Sequence, residues 1–376
     1  MIYPFLPAFG RGLGVDLYTL SLAVTLRSSS GILGPLLASI ADNRGRKAGM
    51  LTGLCLFIVG TGLMTVWHSF PAFVLSLVLC LLANLTFLPS MQAYLGDRVP
   101  YQRRGLVLAL TEFSWSLSFI IGVPLVGLSI TRNGWQAPYP WLAGLGLMAL
   151  ILLANLLPKD APANPGRPSL WRNLRTVFAY PPALAGLLFS IMLSGSNEMV
   201  NLVFGVWLED TLQVKLTALA AASAIIGFSE LGGETLVSIL VDRLGKRRAV
   251  GIGLILNVLA VLALPALGSS LFGALVGLSL LYLSFEFTLV SSIPMMSEIL
   301  PSARATFMAT FIASIALGRA IGDLLAPSLY QAGEVSGAPP GIQMVVLGAV
   351  ALDLVALVAL RAVRISQVEH QTTQAD

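Results

Sequence analysis

Several ionisable residues fall inside long apolar runs of this sequence, where such side chains are expensive and usually serve a function. Glu198 is the most prominent, because it follows Ser194, Ser196 and Asn197 and precedes Asn201 in an otherwise apolar stretch. A carboxyl group in such surroundings can bind and release a proton near neutral pH. The pattern predicts proton-binding chemistry at Glu198, and the alternative is a satisfied polar contact between neighbouring helices.

Four charged residues in other runs suggest ion pairing. Arg319 and Asp323 are four residues apart, a spacing that favours a local ion pair on one helix face. Glu230 and Glu234 have the same spacing but the same sign, so at least one should be protonated or paired with a cation of another helix. We expect a structural and gating role for this acidic pair.

Arg27 lies near the middle of its apolar run, where a guanidinium group needs a carboxylate or an anionic substrate. Glu112, Glu286 and Asp353 are the other acidic residues of the runs. We assign no function to Glu112, which is near the end of its run, or to Asp353.

The elements that carry these residues must lie in a lipid bilayer. Of the 376 residues, 56% are hydrophobic and 11% are charged, whereas soluble domains are roughly 25% charged. A window of about 19 residues finds eleven spans, at 17–41, 48–67, 70–95, 105–131, 139–157, 181–208, 214–241, 248–267, 270–297, 304–330 and 341–362. The sequence therefore predicts an all-α, polytopic membrane protein.

The basic residues between the spans predict its orientation. One set of alternate loops holds seventeen Lys and Arg residues and the opposite set holds three. Basic loops stay in the cytoplasm, so the polar segment 158–180 and the C-terminus are predicted to be cytoplasmic, in a plasma or inner membrane. Topology also explains the net charge of +4, and we predict no binding of nucleic acid.

Two charged motifs recur about 200 residues apart, each after a corresponding span. DNRGRK begins at Asp42 and DRLGKR begins at Asp242, while Asp97 with Arg103 corresponds to Glu298 with Arg304. A carboxylate beside cations at a helix end, with a glycine that permits a tight turn, can form a charge latch. The predicted latch residues are Asp42, Gly45, Arg46, Lys47, Asp97, Arg103, Asp242, Gly245, Lys246, Arg247, Glu298 and Arg304. The alternative is a solvated basic loop without a coupling role.

These repeated motifs resemble the G-x-L-x-D-x-x-G-R-[RK] motif of the major facilitator superfamily. The leading glycine of that motif is Ala38 in the first copy and Ser238 in the second. The resemblance covers the whole chain and implies twelve transmembrane helices in two six-helix bundles. We predict a first bundle at 1–157, a linker at 158–180, a second bundle at 181–364 and a cytoplasmic tail at 365–376.

The resemblance also ranks the polar residues. In that family, the first and fourth helices of each half line a central cavity, which favours Glu198 and Glu286 as proton-coupling residues. The other candidates for substrate or proton binding are Arg27, Asn84, Gln92, Asn197 and Asn201. Gly122-Val123-Pro124 and Gly127 resemble a signature of the proton antiporters. Among the aromatic residues, Trp207 is predicted to be an anchor at the membrane interface.

The implied function is secondary transport by alternating access, as proton-coupled efflux of a small amphipathic compound by a monomer. A uniporter or importer of a sugar or another metabolite is one alternative. A receptor or lipid scramblase of the same fold is another. An enzyme is not predicted, since His68 and His370 lie outside the spans and no nucleophile, metal or phosphate motif occurs. We predict no cofactor.

The internal repeat also predicts a short first helix. With an offset of 201 residues, Tyr3 to Pro7 corresponds to Phe204 to Leu208, near the end of its span. Met1 would then lie inside the first helix, and about 20 residues are needed to cross a bilayer. We therefore expect that about 20 residues precede Met1 in the native protein.

Overall fold

A computed structural model describes residues 3–34, 45–98, 117–158, 170–300, 303–335 and 342–363, and these residues form helices and no strand. The helices are α1 (Leu6–Leu13), α2 (Leu17–Ser30), α3 (Arg46–Val66), α4 (Phe70–Arg98), α5 (Val123–Asn133), α6 (Pro138–Leu156), α7 (Leu170–Ala179), α8 (Pro181–Leu212), α9 (Leu216–Leu244), α10 (Lys246–Leu267), α11 (Leu271–Ser297), α12 (Arg304–Val335) and α13 (Ile342–Ala362). Short 3-10 turns at Tyr3–Phe5 and Gly31–Leu33 and a π-helical turn at Ser118–Gly122 complete them.

Within the described ranges six helices precede α7 and six follow it, so the predicted all-α fold of two six-helix halves is confirmed. Within the described ranges, nine helices are long and apolar enough to cross a bilayer: α3, α4, α6 and α8 to α13. The predicted span 181–208 extends to Leu212, and the span 304–330 extends to Val335. The spans 17–41 and 105–131 are described only as far as 17–34 and from 117 onwards.

The outer faces of the helices show that the solvent is lipid. In α6, leucine and isoleucine side chains are about half exposed along the whole helix, including Leu145, Leu152 and Ile151. In α13 the same is true of Leu347, Leu354 and Val358. Such continuous apolar surfaces are unstable in water and normal against hydrocarbon chains.

Corresponding helices of the two halves begin and end with the same local geometry. Gly45 and Gly245 precede α3 and α10 with φ angles of 97° and 81°, which only glycine adopts easily. Lys47 Nζ donates to the carbonyl oxygens of Ala154 (2.7 Å) and Leu157 (2.6 Å) at the end of α6. In the second half, Arg247 donates to the carbonyl oxygens of Leu360 (3.4 Å) and Arg361 (2.9 Å) at the end of α13.

Helix α8 is the most buried of the long helices, and the first residues of the first half pack against it. The turn Tyr3–Phe5 packs against it at Gly205, where an added Cβ would lie 3.0 Å from the carbonyl oxygen of Tyr3. At the far end of α8 from α7, Arg11 forms an ion pair with Glu209 at 2.5 Å. Helix α2 packs against α12, and α5 packs against α9. Phe5, Phe9, Phe204 and Trp207 fill the core between the halves at this end.

Candidate functional site

A group of polar side chains surrounds the middle of α8. Glu198 is 1% exposed, and its Oε2 lies 3.8 Å from Nε of Arg319 on α12. The same oxygen accepts a hydrogen bond from Asn201 Nδ2 at 3.4 Å. Tyr282 on α11 donates its hydroxyl proton to Asn201 Oδ1 at 2.6 Å. Glu198 is thus connected to two other helices of the second half, α12 directly and α11 through Asn201.

The first half contributes to the same group through its first two helices. Arg27 donates to the hydroxyl oxygen of Tyr3 at 3.2 Å, and Ser28 donates to Asp323 Oδ2 at 2.6 Å. Arg27 is also within electrostatic range of Glu198 and Asp323. We call Tyr3, Arg27, Ser28, Glu198, Asn201, Tyr282, Arg319 and Asp323 the central cluster. It bridges the two halves of the molecule.

The charges of the central cluster balance, but its hydrogen bonds are incomplete. Two guanidinium groups stand beside two carboxylates. Oε1 of Glu198, Oδ1 of Asp323 and Nε of Arg319 are buried without a hydrogen-bond partner among the described residues. Buried polar groups are nearly always satisfied, so the two carboxylate oxygens are available to a proton or to a donor group of a ligand, and the N–H of Arg319 Nε is available to an acceptor group. A proton on either carboxylate would leave one guanidinium charge uncompensated.

Three glycines bring Glu198 close to Arg319. A Cβ on Gly318 would lie 2.2 Å from the carbonyl oxygen of Ile191, and one on Gly322 would lie 2.6 Å from that of Gly195. A side chain at either position would push α8 and α12 apart. Small residues allow such close approach of membrane helices, and here they set the distance between the ion-paired side chains.

The predicted local ion pair between Arg319 and Asp323 is wrong. Arg319 pairs with Glu198, while Asp323 accepts its hydrogen bond from Ser28 of the other half. The spacing of four residues puts both side chains on one face of α12. The backbone contact with α8 brings Glu198 within reach of Arg319, and α2 supplies the donor to Asp323.

Glu230 and Glu286 lie at the contact between α9 and α11, and Glu234 is half-buried one turn after Glu230. The Cβ of Glu286 is 2.9 Å from the point where a Cβ on Gly233 would lie, so it faces α9. Glu286 is one helical turn along α11 from Tyr282. Glu230 is buried and within electrostatic range of Tyr282. This acidic group therefore borders the central cluster through Tyr282.

Of the four amide residues predicted to bind substrate, two lie on α8 and two lie on α4. Asn201 belongs to the central cluster, and Asn197 is 4% exposed, with an Oδ1 that has no hydrogen-bond partner among the described residues. Asn84 and Gln92 lie on α4; Asn84 is exposed and Gln92 is half-buried. Neither is among the residues whose contacts form the central cluster.

The predicted latch residues are described in part. Lys246 forms an ion pair with Glu298 in the second half, and Gly45, Lys47, Gly245 and Arg247 have the repeated geometry given above. Arg46 is half-buried at the start of α3. Asp42 and Arg103, and the side chains of Asp97, Asp242 and Arg304, lie outside the described part of the chain.

The prediction that Trp207 is an anchor at the membrane interface is wrong. Its side chain is 1% exposed and lies in the core between the halves. A Cβ on Gly268 would lie 2.2 Å from its ring. The glycine that follows α10 makes room for the indole, which packs inside the protein instead of against lipid headgroups.

Sequence reasoning missed Ser28 and the glycines of α12. A serine beside Arg27 carries no signal of its own, because its partner Asp323 is 295 residues away. Gly318 and Gly322 have the small-xxx-small spacing of packed membrane helices, and Gly195 is the matching small residue on α8. That spacing predicts a close contact but does not say which helix provides the other side.

Membrane-spanning helices in two halves, with a charged cluster buried where the halves meet, define a polytopic membrane carrier. The family model described as Major Facilitator Superfamily matches residues 1–233 and 186–375. The chain therefore belongs to the Major Facilitator Superfamily, whose members are transporters, and it is a multi-pass membrane protein.

Individual relatives agree with this assignment. The chain is 26% identical to the uncharacterized MFS-type transporter YceJ of Bacillus subtilis (strain 168), over 82% of this chain and 78% of YceJ. It is 24% identical to the quinolone resistance protein NorA of Staphylococcus aureus (strain MSSA476), over 54% of this chain and 53% of NorA. The crystal structure of the nucleoside transporter NupG has the same fold, with a TM-score of 0.77, 16% identity, and coverage of 96% of this chain and 95% of NupG.

Proposed function

We propose that this protein exports a small amphipathic compound in exchange for protons, and that Glu198 binds the coupled proton. One observation carries the proposal. Glu198 is buried where the two halves meet, its Oε2 lies 3.8 Å from Nε of Arg319, and its Oε1 has no hydrogen-bond partner among the described residues. Buried carboxylates of membrane-spanning helices commonly act in proton relays.

Proton binding at Glu198 would change the charge that a substrate meets. With Glu198 ionised, the charges of the central cluster balance. With Glu198 protonated, the guanidinium of Arg319 loses its partner, and a cationic compound is repelled from the site. Substrate and proton then compete for the same carboxylate, which is the condition for exchange of one against the other.

The surroundings of the cluster suit an amphipathic compound. Tyr282 presents its ring and hydroxyl group beside Asn201, and Phe204 lies one turn beyond Asn201 on α8. Aromatic rings offer apolar area at low entropic cost. The similarity to NorA supports the efflux direction, because the name of that protein records resistance to quinolones.

We further propose that the side of α7 faces the cytoplasm and that α7 belongs to a linker between two bundles. The excess of basic residues in the loops of that side supports this orientation. The conformation described here would then be closed on the outer side, where Arg11 and Glu209 join the halves. Transport requires that this contact opens while the side of α7 closes.

The test is proton flux in proteoliposomes that contain the purified protein, during challenge with a panel of amphipathic cations, sugars and organic acids. Wild type, Glu198→Gln and Glu286→Gln are compared. We expect at least one amphipathic cation to drive proton movement in wild type and Glu198→Gln to abolish it, while labelled substrate still exchanges. Proton movement that survives in Glu198→Gln but stops in Glu286→Gln would move the coupling role to Glu286.

Asp16→Asn is the matched control, because it also replaces an acidic residue with its amide. Asp16 is exposed at the start of α2, where its side chain accepts a hydrogen bond from the backbone of Thr19 at 2.9 Å. Asparagine caps helices as well as aspartate does, so proton flux should not change. Substrate movement without proton flux in every variant contradicts proton coupling and favours a uniporter.

A further inference from the structure

Another buried carboxyl group, outside the central cluster, lies at the contact of α8 with α13. Asp353 of α13 is 0% exposed. Its Oδ2 accepts a hydrogen bond from Asn257 Nδ2 of α10 at 2.8 Å. Asn257 Oδ1 in turn accepts from the hydroxyl of Ser284 of α11 at 3.1 Å. Asn257 and Ser284 are buried as well.

The hydroxyl group of Ser196 also interacts with the carboxyl group of Asp353, although neither Ser196 Oγ nor Asp353 Oδ1 has a hydrogen bond of normal geometry among the described residues. Ser196 is on α8, two residues before Glu198. Asn257 and Ser196 are the groups that interact with this carboxyl, and among the described residues of α8, α10, α11 and α12 no charged side chain does so. An ionised carboxylate would therefore be buried with two neutral groups, the amide of Asn257 and the hydroxyl of Ser196, and with no cation beside it.

Such a charge is very costly to bury, because neutral groups without a cation do not replace the lost hydration. A neutral carboxylic acid avoids the cost and gains a donor. It keeps Oδ2 as the acceptor for Asn257 and can present Oδ1–H to Ser196. Apolar sites are known to hold a carboxylic acid neutral so that it acts as a hydrogen-bond donor.

The first half shows that packing alone does not require these polar groups. At the offset of 200 residues that relates Gly45 to Gly245, the counterparts of Asn257 and Asp353 are Phe57 and Leu153. Phe57 faces α6, since its ring lies 2.9 Å from the point where a Cβ on Gly146 would lie. An apolar contact therefore joins the equivalent helices of the first half.

We propose that Asp353 is a protonated, neutral acid that donates a hydrogen bond to Ser196 and so positions the α8 segment that carries Glu198. It is a positioning residue and does not exchange its proton during transport. The inference deepens the proposed function, since the segment that it holds carries the proposed coupling residue. The protonation state itself does not depend on that function.

Infrared spectroscopy tests the protonation state directly. A protonated carboxylic acid has a carbonyl stretch that shifts in D2O, and we expect a band of this kind to be absent in Asp353→Asn at neutral pH. Spectra recorded in the Glu198→Gln background keep the result independent of Glu198. If wild type and Asp353→Asn have the same carboxylic acid bands, Asp353 is ionised and the proposal is wrong.

Transport kinetics test the positioning role. Asparagine can donate to Ser196 and accept from Asn257, so Asp353→Asn should keep transport and its pH profile. Asp353→Leu combined with Asn257→Phe copies the first half and should fold, but its KM should rise about tenfold, the change expected for one lost hydrogen bond. A double variant with the wild-type KM would show that the polar groups serve packing alone. Failure of proton coupling at Glu198 would leave the infrared result unaffected.

Discussion

The two halves of the molecule share their helix ends and differ in their middles. Gly45 and Gly245 start α3 and α10, and Lys47 and Arg247 bind the last carbonyl groups of α6 and α13. The central cluster, in contrast, takes three charged residues from the second half, namely Glu198, Arg319 and Asp323, and Arg27 from the first half. The helix ends are alike in the two halves, whereas most of the charged residues of the central cluster lie in the middle of the second half.

The largest effect is expected for Gly318→Ala, which lies in the middle of the second half. Its Cβ would overlap the carbonyl oxygen of Ile191, so α8 and α12 must separate. We expect a loss of about 3 kcal/mol in the free energy of unfolding in detergent. Gly144→Ala in α6 of the first half is the control, because nothing lies within 4 Å of its added Cβ. Equal losses of unfolding free energy in both variants would contradict the close contact between α8 and α12.

The cations at the helix ends, Lys47 and Arg247, should stabilise the two halves by similar amounts. Lys47→Met and Arg247→Met each remove hydrogen bonds from a charged group to the last carbonyls of a helix, and we expect each to cost about 2 kcal/mol. Titration with SDS measures the unfolding free energy of both variants and of their combination. The residues are far apart, so the two costs should add. A loss of unfolding free energy for only one of the two variants would show that the helix ends of the two halves are not equivalent.

Two serines at corresponding helix starts allow the same comparison of the halves, with a smaller expected loss of stability. Ser69 accepts a hydrogen bond from the amide of Ala72 at 3.4 Å before α4, and Ser270 accepts one from the amide of Gly273 at 3.2 Å before α11. Replacement by alanine should cost about 1 kcal/mol at each position, whereas Ser→Thr should cost less. Thermal unfolding in detergent compares the four variants. No loss at either position would exclude a capping role.

The smallest effect is expected for the ion pair between Lys246 and Glu298. Both side chains are about one-third exposed, so water and salt screen their attraction. Lys246→Met should reduce the unfolding free energy by about 0.5 kcal/mol, and the loss should shrink further in high salt. A larger loss that salt does not change would mean that the pair is held as tightly as the caps at Lys47 and Arg247.

Much of the fold could be predicted from the sequence, because the bilayer imposes a minimum length and an apolar composition on each span. The repeat of Gly45 at Gly245 placed corresponding helices in the two halves. The central cluster was predicted in part, since Glu198, Asn201 and Arg27 stand out against apolar neighbours. Each of these signals is local in the chain.

The pairing of side chains could not be predicted in the same way. Arg319 has Asp323 one turn away, yet it pairs with Glu198 because glycines bring α8 and α12 together. Asp353 was given no function because its helix is peripheral, yet its side chain is completely buried. Trp207 was placed at the lipid interface, yet Gly268 makes room for it inside. Each error concerns which helix faces which, and spacing along one helix does not contain that information.

The close backbone contact of α8 with α12 also has a consequence for the kinematics of transport. Helices whose carbonyl groups touch glycine α-carbons cannot slide past each other without a steric clash. We therefore expect α8 and α12 to move as one rigid body, with a constant distance between spin labels on them. The contact of Gly31 with Ala316, which joins α2 to α12, then lies on the boundary between moving parts. The central cluster spans the same contact, so a rotation of one half against the other would change the distance from Arg27 to Glu198.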